Sequence, residues 1–320
     1  MSDLGSLHFF LGLEVKQGKD GVFVSQKKYA TDLLKKFNML NCKMAATPMN
    51  VNEKLQLEDG TEKANARNFR SLVGGLIYLT NTRPDIAFSM SIVSRFMHSP
   101  SKQHFGAAKR IMRYIAGTVD YGIWFTNVPD FKLFGFTNSD WAGSIDDRKS
   151  TSGNIFKLGS GAVTWSSKKQ AMTALSSTEA EYVAATSSVC QAIWLRRLLA
   201  DLHQEQTGAT QIFCDNKSTI AMAKNPAFHD RMKHIDIRYH FIREQVATGI
   251  IALKFCNTHE QGQLIQVVEQ KHHISVLKGW IFAPVLLGAP TDLDDAHPPY
   301  GALYCHFEVV DQQIHWEISL

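Results

Sequence analysis

The sequence predicts an α/β protein. A mixed sheet with flanking helices is expected over residues 128–261, preceded by a small α+β segment, a hairpin plus helices, over residues 1–127. Three observations lead there. From residue 131 onward, three short β-rich runs are separated by turn residues. A long run of helical spacing then gives way to strand, helix, helix and strand patterns ending near Phe255. Before residue 128 the order is reversed in weight, with one hairpin pattern followed by four helical ones.

The hairpin comes first. Leu7-His-Phe-Phe-Leu-Gly-Leu-Glu-Val15 is β-rich, Gln17-Gly-Lys-Asp-Gly21 supplies turn residues, and Val22-Phe-Val24 resumes the strand. Residues 26–38 show helical spacing through Tyr29, Leu33, Leu34 and Phe37. Residues 41–60 are polar, with Pro48 and Asn50, and read as a loop. Helices are expected at 68–80, around Leu72, Val73, Leu76 and Leu79, and at 84–97, with Pro84 suited to a first helical position. Another is expected at 101–116, capped by Ser101 after Pro100. No convergent acids, nucleophile–base pair or Gly-rich phosphate loop occurs in 1–127.

In the second unit, strands are expected at 131–138, 154–158 and 162–166, with Gly159-Ser-Gly161 as a hairpin turn. A helix at 178–202 carries Val183, Ala184, Ser187, Cys190, Ile193, Trp194, Leu198 and Leu202 at three- and four-residue spacing. A strand at 211–215, a short helix near 218–224, a basic helix around 234–246 and a strand at 250–255 complete the pattern. Residues 262–320 form a third, divergent stretch. Its apolar run Gly279-Trp-Ile-Phe-Ala-Pro-Val-Leu-Leu-Gly288 is too short and Pro-broken to span a bilayer. Pro290, Pro298 and Pro299 with Asp292, Asp294 and Asp295 read as loop.

Composition narrows the class. The 320 residues are 44% hydrophobic, enough for two or three domains. No apolar run reaches the roughly 20 residues of a membrane span, and the segment after Met1 lacks a basic-then-apolar signal pattern. An intracellular protein, cytoplasmic or nuclear, is the expectation, with no membrane partner. Five cysteines are scattered without a Cys-x-x-Cys pair, which suits buried thiols in a reducing compartment and argues against structural zinc. The formal charge of +4 is a mild bias toward polyanions. Lys, Arg and His concentrate at 102–113 and 231–243, each readable as a solvated helix face or as a phosphate-contacting surface.

Chemistry gathers at Leu175-Ser-Ser-Thr-Glu-Ala-Glu-Tyr-Val-Ala-Ala185, where N-cap residue types precede two carboxylates at the mouth of the long helix. Taken alone, Glu181 reads as a capping-box partner of Thr178. Its company argues for more. Phe134-Gly-Phe-Thr-Asn-Ser-Asp140 and Gln211-Ile-Phe-Cys-Asp215 are strands ending in acidic residues on either side of that helix. A strand–helix–strand frame that converges carboxylates on one spot is a metal site in outline. Glu179 lies about 200° around the helix from Glu181 and is expected to be solvated or capping.

Several long motifs, in one order, carry a resemblance. Ser139-Asp-Trp-Ala-Gly143, Asp146-Asp-Arg-Lys-Ser-Thr-Ser-Gly153, Trp165-Ser-Ser-Lys-Lys-Gln170, Ala174-Leu-Ser-Ser-Thr-Glu-Ala-Glu-Tyr182, Cys214-Asp-Asn216 and Lys233-His-Ile-Asp-Ile-Arg-Tyr-His-Phe-Ile-Arg-Glu244 closely resemble the ribonuclease H domain of copia-type LTR-retrotransposon Pol polyproteins. Phe9-Phe-Leu-Gly12, Leu72-Val-Gly-Gly-Leu-Ile-Tyr-Leu79, Thr82-Arg-Pro-Asp85 and Ala108-Lys-Arg-Ile-Met-Arg-Tyr-Ile115 resemble the end of the reverse transcriptase of the same polyprotein. The resemblance covers roughly residues 5–261. It implies that 1–127 is the end of the reverse-transcriptase palm with thumb-like helices, and that 128–261 is a ribonuclease H-like domain. The family's Tyr-x-Asp-Asp polymerase motif does not occur, so DNA synthesis is not expected.

The resemblance also implies a reaction. In the ribonuclease H family, four carboxylates hold two Mg²⁺ ions, for which Mn²⁺ can substitute, and the RNA strand of an RNA–DNA hybrid is cleaved. Carried over by motif, the helix acid is Glu181 and the later strand acid Asp215. The first acid aligns with Asn138, a weaker neutral ligand. Asp140, two residues on along the strand, is either its substitute or a structural turn residue. The closing Ala-Asp-Ile motif is absent: the sequence follows the family through Thr258-His-Glu-Gln261 and then departs. The catalytic and metal-binding candidates are therefore Asp140, Glu181 and Asp215, with Asn138 as a further metal ligand. Arg148 and Lys149 are phosphate-contact candidates. Lys233, His234, Arg238 and His240 fit either backbone contact with the hybrid or helix packing and surface charge. An impaired nuclease is the leading reading. A non-catalytic nucleic-acid-binding remnant and a product that does not fold stably are the alternatives.

Overall fold

The computed structural model describes residues 8–50, 53–129, 131–224 and 236–257. It also describes the strand backbones at 268–269, 304–310 and 313–319. Strands β1 (Phe9–Phe10), β2 (Leu13–Gly18) and β3 (Gly21–Ser25) form the expected hairpin, interrupted at Leu11 and Gly12, both at positive φ. Helix α1 (Lys27–Lys36) follows, and then the irregular stretch expected around 41–60. Helix α2 (Ala66–Leu79) starts two residues before the expected point because Asn65 caps it, its side chain accepting the Asn68 N–H at 3.0 Å.

The helix expected over 84–97 is broken into a 3₁₀ turn at Pro84–Ile86, helix α3 (Ala87–Val93) and a second 3₁₀ turn at Ser94–Phe96. Helix α4 (Lys102–Ala116) begins at the expected Ser101 cap. There His104 completes the box: Ser101 N–H donates to His104 Nδ1 at 3.0 Å, and His104 N–H donates to Ser101 Oγ at 3.2 Å. Leu34, Phe69, Leu72, Leu76, Leu79, Ile111 and Ile115 from these helices make one buried core.

Strand β4 (Tyr121–Thr126), for which no strand was expected, pairs antiparallel with β3 and carries the first sheet onward. Strands β5 (Leu133–Ser139), β6 (Thr151–Leu158) and β7 (Gly161–Lys169) form the expected antiparallel meander. Helix α5 (Ser177–Asp201) crosses over to β8 (Thr210–Cys214), which lies parallel to β5. Helices α6 (Lys217–Lys224) and α7 (Asp236–Ala247) lead to β9 (Ile251–Phe255), parallel to β8. The sheet order is β7-β6-β5-β8-β9, a mixed sheet as expected.

The buried stripe of α5 differs from the expected one. Tyr182, Ala185, Val189, Ala192, Leu195 and Leu199 join the sheet core, whereas Ser187 and Cys190 are exposed. The amino-terminal half of α5 is buried on most sides, so period alone did not pick its contact face. In the divergent stretch, a strand at Val268–Glu269 pairs with β4, and Tyr304–Val310 pairs with Gln313–Ser319. The expected loop around 290–299 and the apolar run at 279–288 lie outside the described residues.

The two main units pack against one another. Ala87 and Ile123 share a buried cluster with Phe136, Ile155, Trp165 and Cys256. Trp165 Nε1–H donates to Thr80 O at 3.2 Å, and Arg95 Nη2 donates to Thr151 Oγ1 at 2.9 Å. Among the described residues no helix is long and apolar enough to cross a membrane.

Candidate metal site

The site lies where β5, β8 and the start of α5 meet. Parallel pairing sets Phe136 of β5 beside Phe213 of β8, their rings stacked 5.1 Å apart. Two residues further on, strand alternation returns to the same face and sets Asn138 beside Asp215. The Asn138 amide donates from Nδ2 to Asp215 Oδ2 at 3.3 Å. Asp215 stands just past the end of β8, half-buried.

Glu181 enters from α5. Ser176 is the N-cap, its Oγ accepting the Glu179 N–H at 3.2 Å, so Thr178 and Glu181 are not the capping pair. Glu179 has the capping role, its Oε2 accepting the Leu175 N–H at 2.8 Å, but it is buried instead of solvated. Glu181 is thereby left in the second turn, pointing at the sheet. Its Oε1 accepts the Ser139 N–H at 2.7 Å, and Oε2 lies 3.8 Å from Cys214 Sγ. Gln170 ties the same corner together: its Nε2 donates to Ala180 O at 2.9 Å and to Ser152 Oγ at 2.8 Å, with Ser139 Oγ 3.2 Å away.

Ligand atoms of Glu181, Cys214 and Asp215 all lie within 4.8 Å of one another. The electrostatics follow from this crowding. Burial, reinforced by the neighbouring Asp215 charge, pushes the Glu181 carboxyl up to about 8, and the Ser139 N–H only partly offsets it. The Cys214 thiol is pushed up too, by burial first and then by the Glu181 charge. A pocket that disfavours its own negative charges gains most from a cation placed among them.

The structure brings Glu181, Asp215 and Asn138 together, and adds Cys214, which motif reasoning did not single out. Its residue type and its place beside Asp215 were the available signals. Asp140 is not among the ligand atoms that lie within 4.8 Å of one another, although its charge also helps to raise the Glu181 pKa. Its backbone leaves β5, its N–H donates to Thr151 O at 3.2 Å, and its Oδ1 accepts the Thr151 N–H. Its carboxylate also packs so closely on Gly143 that a Cβ there would collide with Oδ2. Burial raises its pKa, with the Thr151 N–H and Arg95 opposing. Those contacts suit the turn-residue alternative for Asp140.

Arg148, at positive φ, and the half-buried Lys149 lie on the connection from β5 to β6, with Arg148 exposed. His240 is exposed on α7, and Arg238 falls on the same helix. Lys233, His234, the side chain of Arg238 and the segment after 257 that should have held the fourth acid lie outside the described residues.

Residues 1–51 match a protein family described as reverse transcriptase (RNA-dependent DNA polymerase). The chain is 44% identical over 257 residues to the retrovirus-related Pol polyprotein from transposon RE2 of Arabidopsis thaliana, covering 80% of this chain and 18% of that protein. Against the corresponding polyprotein from transposon TNT 1-94 of Nicotiana tabacum it is 40% identical over 271 residues, covering 81% of this chain and 20% of the relative. The chain thus spans about a fifth of these relatives' length. Among solved structures, a foamy viral protease-reverse transcriptase in complex with double-stranded DNA aligns at 12% identity and a TM-score of 0.45, over 77% of this chain and 37% of that one. The long identity to transposon polyproteins and the reverse-transcriptase match agree: the chain belongs to the Pol polyproteins of copia-type retrotransposons.

Proposed function

We propose that residues 128–261 are the ribonuclease H-like domain of such a Pol, docked on the end of its reverse transcriptase in 1–127 and followed by a divergent stretch at 262–320. Its substrate class is the RNA strand of an RNA–DNA hybrid. Glu181 and Asp215 are the groups that would hold a divalent cation, with Asn138 as a weak third oxygen donor. The supporting observation is the convergence of the two carboxylates, from separate elements, into a buried corner that raises the Glu181 pKa.

The donor set fits one hard cation better than two. Mg²⁺ keeps several waters and accepts one or two carboxylates, which is what Glu181 and Asp215 supply. A bound divalent cation would stabilise charge on the scissile phosphate and help activate the attacking water. The chain's own residues do the remaining work. Ser139 N–H and the β5–β8 register hold the two carboxylates in place, while Arg148 and Lys149 would neutralise substrate phosphates. With Asn138 at the first position and Asp140 committed to Thr151, cleavage is weak or absent.

A second reading is a non-catalytic nucleic-acid-binding remnant, favoured by the Asn138 amide, which already occupies Asp215 with a neutral hydrogen bond. The test is cleavage of a labelled RNA–DNA hybrid in Mg²⁺ or Mn²⁺, with Mn²⁺ binding followed in parallel. The chain as it stands is expected to cleave little. Asn138→Asp should raise cleavage at least about tenfold, as an added ligand lowers the barrier by roughly 1.4 kcal/mol or more. Glu181→Gln should remove both cleavage and Mn²⁺ binding. Cleavage and Mn²⁺ binding that survive Glu181→Gln would sink the assignment. Hybrid binding with no cleavage in Asn138→Asp would favour the remnant.

A further inference from the structure

Trp141 is the one tryptophan among the described residues with more than half of its surface in solvent, at 57% exposed. Its indole is pinned there: Nε1–H donates to Ala174 O at 3.3 Å, so the polar atom is satisfied and the ring shows solvent an apolar surface. Leu175, next to Ala174, is 74% exposed. The pair stands where β5 ends and α5 begins, the two elements that bring Asn138 and Glu181 to the metal site. The loop that Trp141 opens is closed on itself. Ala142 N–H donates to Ser150 Oγ at 3.1 Å, and Arg148 N–H donates to Ser144 O at 3.0 Å. Ala142 and Arg148 both hold positive φ, a conformation costly for residues with a Cβ and met where loops contact ligands. The charges of the loop are sorted as well. Its acids are taken up within the fold, Asp146 by the Leu57 N–H at 3.0 Å and Asp147 by Lys169 at 2.8 Å. Arg148 and Lys149 have no ion pair among the described residues.

A fixed, exposed ring beside cations suits a nucleic-acid strand, the cations taking phosphates and the ring taking a base. Within a duplex each base face is covered by the neighbouring pair, so such a ring stacks on a base only where that base is unpaired. We propose that the 141–149 loop holds a single-stranded flank of the nucleic acid, one unpaired base stacking on Trp141 and the adjoining phosphates meeting Arg148 and Lys149. This deepens the nuclease reading and rests on its choice of a nucleic-acid substrate. What it adds is a preference for hybrids that carry an unpaired flank over fully paired ones.

The probe is a fluorescein-labelled RNA–DNA hybrid with a short unpaired DNA flank, read by fluorescence anisotropy with the full chain in metal-free buffer. A second probe has abasic sites in the flank, keeping the phosphates and losing the bases, and a third is blunt. The wild-type chain is expected to bind the natural flank at least about fivefold more tightly than the abasic one. That comparison needs no variant, so it decides the matter even if a substituted loop misfolds. Trp141→Ala should bind both flanks alike, bind the blunt hybrid as the wild-type chain does, and leave the salt dependence of binding unchanged. Arg148→Gln should instead lower the slope of log Kd against log salt by roughly 0.7, the share of one phosphate contact on a single strand. Equal binding of natural and abasic flanks by the wild-type chain overturns the proposal, as does a preference that survives Trp141→Ala. An equal loss on the blunt hybrid in Trp141→Ala places the ring on the duplex and also overturns it. Each of these leaves the nuclease reading standing where Mn²⁺ still binds in a Glu181-dependent way. Failure to bind any hybrid or Mn²⁺ overturns both.

Discussion

Glu181 concentrates the electrostatic cost of the buried corner in one side chain. It is 5% exposed and faces Asp215, and burial with the Asp215 charge pushes its carboxyl up to about 8, well above the ordinary carboxylate range. A carboxylate with a raised folded-state pKa binds more protons folded than unfolded between its ordinary and raised values, so stability falls as pH rises through that window. At about 1.4 kcal/mol per unit, with solvent relaxation discounting the full shift, the loss should be a few kcal/mol. Urea unfolding at pH 5 and at pH 8 should show it. Glu181→Gln should flatten the difference, and Mn²⁺ should reduce it in the wild-type chain only. A Glu181→Gln variant that keeps the full pH slope would place its source elsewhere.

Strand β5 depends on a close approach. Gly135 lies under the Phe156 ring, where an added Cβ would come within 2.5 Å of Cε1. Phe156 is fully buried and has little room to retreat. Gly135→Ala should therefore cost about 1–3 kcal/mol by overpacking, and should shift the β5–β8 register that sets Asn138 beside Asp215. The two effects separate in measurement, the first in chemical denaturation and the second in Mn²⁺ affinity. Elements of this sort were legible in the sequence where their signals are local. The hairpin of β2 and β3, the Ser101 cap and the β5–β6–β7 meander follow from alternation, capping types and the Gly159-Ser-Gly161 turn. Strand β4 was not, although Tyr121-Gly-Ile-Trp-Phe-Thr126 is rich in strand formers, because it is short and pairs with a strand about a hundred residues earlier. The split of 84–97 into a helix with 3₁₀ ends was likewise invisible to periodicity.

Across the whole molecule, the helical packet and the mixed sheet share a buried seam. The Trp165 indole crosses it to reach Thr80 O at the carboxyl end of α2, and Ser167 Oγ meets Ser91 Oγ at 2.8 Å. Trp165→Phe keeps an aromatic ring but removes one of the two hydrogen bonds the Thr80 carbonyl accepts, the Arg83 N–H at 3.3 Å remaining, and should cost about 1 kcal/mol. Because the seam couples the units, fluorescence and circular dichroism should report one unfolding transition in the wild-type chain. Two resolved transitions would show that the units fold independently.

The sequence by itself determined most of the elements, the family they belong to and which acids arrive from α5 and β8, because capping types, periodicity and long motifs are written along the chain. Tertiary structure alone decided that Asp140 turns to Thr151 while Asn138 meets Asp215, and that Cys214 joins the carboxylates. The reason is geometric. Strand register and the exact end of β5 choose which of two residues two apart meets Asp215, and the β5–β8 pairing that sets it joins residues about seventy-five apart in the chain.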